Sequence, residues 1–480
     1  MSLPLLPALL AGVLSNGFSA LPIYDVDASF AASQSTPGWR RLYFGPQDEK
    51  AVAIAKAPGG GYVVCMSVPG GAAGAQIGLM KLTAQGVLVT AGFGNGGYVL
   101  KDAFLSSVTD MTIDAQGRIV VVGATPGPGP GSPTDFGIVR FNADGSDDSS
   151  FAGDGGTSFG FDNVASAIYA NDAPTSVLTE VDGRIVIAGG VQYTSVSTTT
   201  RIGVVRLNVD GSLDSSFGNI DDGSGGRRGT QFTFVESKSA YAAKIAHIAG
   251  DHFVVAGTSV YSGTDTDFAA RILTPSGSPW SGDTGSQTFA IDEPGPGNSF
   301  YDTVTTATLA NPTTLYLAGN ASGHAAAVRV LVGPPNWIGQ YTDLAIDANF
   351  VGSGISGRPN IFVGPADTEA KATATGPDGR LLILGRRSVG SLSQGMLMQL
   401  QHDGRLDYYV YPGGLRPYSA PTLAGDASAY TEFSSVVFDG ANPVAFGSAV
   451  DNATSVVDFD GVATRLLSDT IFADGLDARP

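Results

Sequence analysis

The sequence predicts an all-β fold: a seven-bladed β-propeller of four-stranded antiparallel blades, closed by an N-terminal strand that completes the last blade. Three observations predict it. A short apolar run, mostly ending in glycine, recurs seven times; tight-turn residues separate short β-branched segments; and the chain begins with what reads as the end of a repeat. The recurrent run is YVVCM at Tyr62–Met66, GRIVVVG from Gly117, GRIVIAG from Gly183, HFVVAG from His252, TLYLAG from Thr314, GRLLILG from Gly379 and PVAFG from Pro443. Its aligned last residues are Met66, Gly123, Gly189, Gly257, Gly319, Gly385 and Gly447, at intervals of 57, 66, 68, 62, 66 and 62 residues. Units repeated at such a period bury their cores against one another, which overrides the division into domains that length would suggest. The 66 Gly and 27 Pro, with 16 Tyr and 24 Phe, suit strands joined by tight turns.

The second repeat shows the grammar of a blade. Val108–Ile113 is a short strand, and Asp114–Gly117 turns the chain. Arg118–Gly123 is β-branched enough for a strand buried on both faces. A Gly/Pro loop leads to a third strand, Asp135–Asn142, then to a turn at Ala143–Gly145 and a weaker fourth strand at Thr157–Phe161. Successive short strands joined by turns form an antiparallel meander, and radial closure protects the edges of each sheet.

The third strands carry one polar slot between apolar residues, filled by Lys81, Arg140, Arg206, Arg271, Arg329, Gln399 and Asp458. A ring of cations gripping an anion is one reading. The reading favoured here is an inter-blade position, where the arginine stem covers apolar area and its head meets an Asp or a carbonyl. Asp27–Phe30 matches the unit ending Asp214–Phe217, and Trp39–Phe44 follows it as a fourth strand. The last repeat supplies only Thr431–Phe438, Pro443–Gly447 and Ser455–Phe459, so Trp39–Phe44 is expected to join it and shut the ring, removing a sheet edge. The expected organisation is a signal peptide or apolar arm at 1–20, the propeller at 21–467 and a tail at 468–480.

The pattern DG-R-(I/L)-(V/L)-apolar-G followed by R-(F/L)-N-x-D-G-S-x-D-x-S-F-G resembles the bacterial delta-60 repeat family. It is carried by Asp144–Phe151, Val205–Gly218, Gly117–Gly123, Gly183–Gly189 and Asp378–Gly385. Repeats 4, 5 and 7 are degenerate. The resemblance implies a secreted or surface β-propeller and supplies no catalytic residues, because the family has no common reaction. The ending Ile471–Asp477 looks like short tails on exported proteins of Gram-negative bacteria.

Chemistry is sparse. The net charge is -18, with many Asp in turn-forming steps, which disfavours nucleic acid as a partner. Leu3–Leu14 is an apolar stretch of signal-peptide length and too short to span a membrane, so the chain is expected to be exported, to the periplasm, surface or medium of a Gram-negative bacterium, and not integral to a membrane. The single cysteine, Cys65, reads as a buried small hydrophobe. His247, His252, His324 and His402 show no metal spacing. No catalytic residue and no cofactor stand out. Calcium is the one ion the sequence invites, weakly, at Asn219, Asp221 and Asp222, with a smaller cluster at Asp265 and Asp267; neither has the spacing of a dedicated loop. Glu180, Glu236, Glu369 and Glu432 stand out in an Asp-rich chain, placed just before or within presumed first strands, but no pair among them is readable. Long loops carry Tyr193, Trp280, Trp337 and Tyr341 as candidate ligand-binding aromatics. Two functions follow. The first is an exported binding or scaffold propeller recognising a protein, glycan or envelope component through blade loops. The second is a propeller hydrolase or lyase acting on an extracellular polymer with scattered carboxylates, for which a convergence of Asp/Glu and Arg near the axis would be required.

Overall fold

The structure is a computed structural model that describes residues 24–127, 133–161, 171–192, 200–220, 228–234, 238–262, 265–279, 286–289, 302–333, 343–352, 360–408, 411, 413–422, 426–451 and 458–468. Seven antiparallel sheets follow in chain order. Blade 1 is β2 (Lys50–Lys56), β3 (Tyr62–Pro69), β4 (Ala75–Leu82) and β5 (Tyr98–Asp102); blade 2 is β6 (Asp110–Ile113), β7 (Ile119–Pro126), β8 (Thr134–Phe141) and β9 (Gly156–Phe159). Blade 3 is β10 (Asp172–Thr179), β11 (Ile185–Gln192), β12 (Thr200–Leu207) and β13 (Thr230–Phe232); blade 4 is β14 (Ala240–Ile248), β15 (His252–Ser262), β16 (Asp265–Leu273) and β17 (Ser286–Phe289). Blade 5 is β18 (Asp302–Asn311), β19 (Thr314–Ala321) and β20 (His324–Val332), whose outer edge is shared by β21 (Leu344–Ile346) and β22 (Ile361–Ala366). Blade 6 is β23 (Thr368–Thr375), β24 (Leu381–Val389), β25 (Leu392–Leu400) and β26 (Leu415–Tyr418). Blade 7 is β27 (Thr431–Asp439), β28 (Asn442–Asp451) and β29 (Asp458–Arg465), completed by β1 (Trp39–Leu42).

First strands touch in cyclic order, β2–β6–β10–β14–β18–β23–β27 and back to β2, so they surround the axis. Closure is a register of Trp39 opposite Thr464 through Leu42 opposite Gly461. The seven apolar cores lie between neighbouring sheets. Second strands are the most apolar; β7 is buried from Ile119 to Thr125 because sheets cover both its faces.

The recurrent glycine has a steric cause. In β10, β14, β18, β23 and β27 a bulge sits opposite it, and the bulged backbone turns a carbonyl toward the second strand. A Cβ on Gly447 would stand 1.7 Å from the Glu432 carbonyl oxygen, and one on Gly319 would stand 1.8 Å from that of Thr303. Blade 1 carries Met66 at this position.

The polar slot is an inter-blade staple. Arg140 donates from Nε to Asp148 Oδ2 (2.7 Å) and from Nη1 to the Val209 carbonyl of blade 3 (2.5 Å), and it lies over the Phe151 ring. Arg206 repeats this with Asp214, the Pro275 carbonyl of blade 4 and Phe217. Arg329 does so with Asp347, the His402 carbonyl of blade 6 and Phe350. The Asp–x–Ser–Phe motif is thus a socket: Asp148 Oδ1 accepts from the Ser150 N–H and hydroxyl, fixing the carboxylate for arginine. The residue after Phe30, Phe151 and Phe217 crosses the seam too, from Ala31 N to Gln85 O, Ala152 N to Asp210 O and Gly218 N to Ser276 O, and beyond Phe350 it is Gly352 N that reaches Asp403 O. Gly211, at φ +86°, leaves the room that the Phe151 ring occupies.

Two assignments of this slot are corrected. Gly257 pairs with Ala269, so the slot in blade 4 is Ile272; Arg271 faces the other way, donating to the Thr233 carbonyl. In blade 7 the third strand is Asp458–Arg465 rather than 455–459, and the slot is Arg465, not Asp458. Arg465 completes the pattern across the closing seam with Asp27, the Ala84 carbonyl of blade 1 and the Phe30 ring. Among the described residues, the seams after blades 1, 4 and 6 lack an arginine staple, since Lys81, Ile272 and Gln399 occupy the slot there.

These sockets make the fold acid-sensitive. Burial pushes the carboxyls of Asp27, Asp148 and Asp214 up, but the serine hydroxyl, serine N–H and arginine bonds outweigh it and hold all three below the ordinary value of about 3.8. A depressed folded pKa stabilises above the unfolded value, and that contribution is lost as pH falls through the folded one. We expect the melting temperature to drop steeply below about pH 3.8. Asp148→Asn should make the drop shallower, read by circular dichroism at fixed ionic strength.

Candidate functional site

Two constellations of titratable groups lie where inner strands begin, around blades 6, 7 and 1. The first is built on β23, β24 and β27. Glu369 and Arg386 face each other in the β23–β24 register, and Lys371 is the residue bulged out of β23 between Ala370 and Ala372. Arg386 Nη2 donates to Glu369 Oε1 (2.5 Å), and Lys371 Nζ lies 3.0 Å from Glu369 Oε2. From the next blade, Glu432 brings Oε2 to 3.6 Å from Arg386 Nε, and the Tyr430 hydroxyl donates to that same oxygen (2.9 Å). One guanidinium therefore joins two carboxylates across a seam that has no arginine staple.

The electrostatics separate the two proton-carrying groups. Arg386 first, against the opposing effect of burial, and then Lys371 hold Glu369 below its ordinary value, so it is a carboxylate at neutral pH. Burial first, and then the Glu432 charge and hydrogen bond, push the Tyr430 hydroxyl up to about 12, so it keeps its proton. Side-chain exposures of 31% for Glu369, 31% for Lys371 and 29% for Arg386 leave the group open to solvent. An ionised carboxylate, a protonated phenol and two cations within reach of one another can accept a proton, donate one and hold an anionic group.

The second constellation is Glu49, Asp458 and Asp460, each offering a carboxylate oxygen within 4.8 Å of the others. Glu49 precedes β2 and is fully buried; its Oε1 accepts from Phe44 N (2.7 Å) and Gly45 N (3.0 Å), while its Oε2 has no hydrogen-bond partner among the described residues. Arg41 on β1 pairs with Asp460. Burial, opposed by the two backbone N–H groups and reinforced by the charges of Asp460 and Asp458, pushes the Glu49 carboxyl up to about 7. The Tyr430 ring meets Phe459 edge-on at 5.2 Å, so the two constellations adjoin. Nearer the axis, Lys244 Nζ reaches from blade 4 past blade 3 to Asp110 Oδ2 (2.7 Å), which also accepts from Val177 N.

Several sequence-predicted residues fall elsewhere. Tyr193, Trp280, Trp337, Tyr341, Glu236, Asp221 and Asp222 lie outside the described residues. Asn219 is described, and its Oδ1 accepts from the Thr230 hydroxyl (2.6 Å). Asp265 and Asp267 sit in the β15–β16 hairpin opposite Ser262 and Ser259. Glu180 follows β10 rather than preceding it, at the opposite end of its blade from Glu369, where Arg184 and Arg206 approach it. Cys65 is fully buried, and burial followed by the Asp110 charge raises its thiol far from reactivity. Of the four isolated glutamates, Glu369 and Glu432 converge. Arg386, Lys371, Tyr430, Glu49 and Asp460 carried no motif, and register across a seam is what brings them in.

The fold defines a seven-bladed β-propeller closed by its own N-terminal strand. A family described as domain of unknown function (DUF5122) beta-propeller matches residues 116–151 and 182–217. Each matched stretch ends on the phenylalanine of a staple, Phe151 or Phe217, and together they lie in two of the seven blades. No curated protein sequence matches the chain. Among solved structures, a protein of unknown function from Dyadobacter fermentans is similar at 8% identity over 90% of this chain and 100% of its own, with a TM-score of 0.46. The polysaccharide lyase Uly1 is similar at 11% identity over 91% of this chain and 93% of its own, TM-score 0.42. The periplasmic gluconolactonase PpgL of Pseudomonas aeruginosa is similar at 12% identity over 88% and 100%, TM-score 0.36. Among the described residues no helix is long and apolar enough to cross a membrane.

Proposed function

We propose that the chain is an exported hydrolase or lyase that cleaves an extracellular polymer at the rim of blades 6 and 7. The observation that carries this reading is the Arg386 clamp, which holds Glu369 and Glu432 together in a part-exposed position beside Lys371 and Tyr430. Glu369 acts as base, because Arg386 and Lys371 keep it ionised. Tyr430, which keeps its proton, serves as acid, and the cations orient an acidic polymer. Export is supported by the apolar stretch at 3–14, of signal-peptide length, and kinship with delta-60 repeat proteins is read from the repeat motif at Asp144–Phe151 and Val205–Gly218.

The test is turnover of a panel of neutral and acidic polysaccharides by the purified protein. New reducing ends report cleavage of either kind, and ultraviolet absorbance of an unsaturated product marks elimination. Glu369→Gln is expected to lower kcat/KM about 10²–10⁴-fold, as loss of a general base does, with an unchanged melting temperature. No turnover, combined with retention of one of these polymers on a pull-down, would replace this reading with an exported binding or scaffold propeller.

A further inference from the structure

The closing seam carries a second, independent arrangement. Glu49, just ahead of the first strand of blade 1, faces Asp458 and Asp460 on the third strand of blade 7, and the Glu49 N–H donates to the Phe459 carbonyl between them (2.9 Å). Three carboxylates meet here, and the Arg41 guanidinium is bound to Asp460 and, through Nη2, to the Pro421 carbonyl (3.0 Å). Glu49 is fully buried with Oε2 unpartnered among the described residues, while two backbone N–H groups pin its other oxygen, so its orientation is set. A buried carboxylate oxygen without a partner is costly unless a cation or donor meets it. We propose that Glu49, Asp458 and Asp460 bind one calcium ion, which clasps the end of the chain to its beginning.

The donor set selects the ion. Oxygens within 4.8 Å of one another can share a cation at about 2.3–2.6 Å, the range for calcium. All donors are hard carboxylate oxygens, which excludes the softer transition metals. Magnesium requires shorter bonds and retains several waters, which a site with a buried glutamate as ligand does not favour. Asp48, whose Oδ1 accepts from Phe459 N (3.4 Å), lies at the same junction.

Full-length protein stripped with a chelator and titrated calorimetrically with calcium chloride tests the proposal. One calcium per chain is expected, with a rise of about 3 °C in melting temperature at a hundredfold excess over Kd. Magnesium at the same concentration should give less than half that rise. Asp458→Asn, on a half-buried residue outside the Arg41 pair, and Glu49→Gln, which preserves shape, should each weaken calcium binding at least tenfold. No uptake by the wild type would overturn the site, as would equal binding by both variants, which would move the ion to another loop such as that of Asn219, Asp221 and Asp222. A higher melting temperature for Glu49→Gln than for the wild type, with no calcium effect on either, would also overturn it by showing that a proton alone bridges the cluster.

Discussion

Arg140→Ala is expected to cost about 3–5 kcal/mol of stability, the range for breaking one side of a buried ion pair. Arg140 is 1% exposed and Asp148 is 4% exposed. Removing the guanidinium strands a carboxylate inside the seam, deprives the Val209 carbonyl of its donor and opens the space beside Phe151. Much of the loss is the cost of the orphaned charge, so an Arg140→Met/Asp148→Ala double variant should regain part of it. Lys81→Ala is the internal control. Lysine fills the same slot in blade 1, but it lies 5.8 Å from the Phe93 centroid, and its removal should cost under about 1 kcal/mol. Urea midpoints of the three variants decide the matter. Equal shifts for Arg140→Ala and Lys81→Ala would show that the staple is not what binds blade to blade.

A chain beginning at Gly45 is expected to fail as a folded monomer. Residues 24–44 bring Tyr24, Phe30, Trp39 and Leu42 into the cores on either side of blade 7. Trp39 stacks on Phe433 with centroids 6.3 Å apart, and the Tyr418 hydroxyl donates to the Tyr24 carbonyl (2.7 Å). At about 1.5–3 kcal/mol for each large apolar side chain, their removal forfeits roughly 8 kcal/mol, comparable to the whole stability of an ordinary domain. It also removes Asp27 from Arg465 and bares the edge of β29, a template for pairing with other chains. Gel filtration should show aggregates. A peptide of residues 24–44 added in trans should restore monomer and circular dichroism. A truncated chain that remained monomeric with an unchanged melting temperature would show that the ring does not depend on its clasp.

Where the sequence could be read and where it could not has a physical pattern. The blades repeat a local event, a bulged strand pairing with an apolar one through a short turn, so period and turn chemistry reveal them without knowledge of what lies beyond. Asp114 illustrates this: its carboxylate takes the Gln116 and Arg118 N–H groups within four residues. Sequence and structure part where a repeat has decayed. In blade 4, Arg271 stands one residue from the slot, and one residue along a strand is the other face of the sheet. In blade 7, the apolar run at 455–459 resembles a third strand, yet β28 pairs with Asp458–Arg465, and the socket of Arg465, Asp27 to Phe30, lies at the far end of the chain.

Residue order alone determined the number of blades, most of the turns and the strand that shuts the ring, because blades and turns depend on hydrophobic periodicity within one unit and the closing strand is the end of a repeat left without its blade. Only the tertiary structure decided which polar groups meet. Glu369, Arg386 and Glu432 come together across a seam, and Glu49 meets Asp458 and Asp460 from nearly the whole chain away. Such encounters are set by register and by the angle between neighbouring sheets, and their energies, from Coulomb attraction to the desolvation of a buried carboxylate, depend on distances that no spacing along the chain encodes.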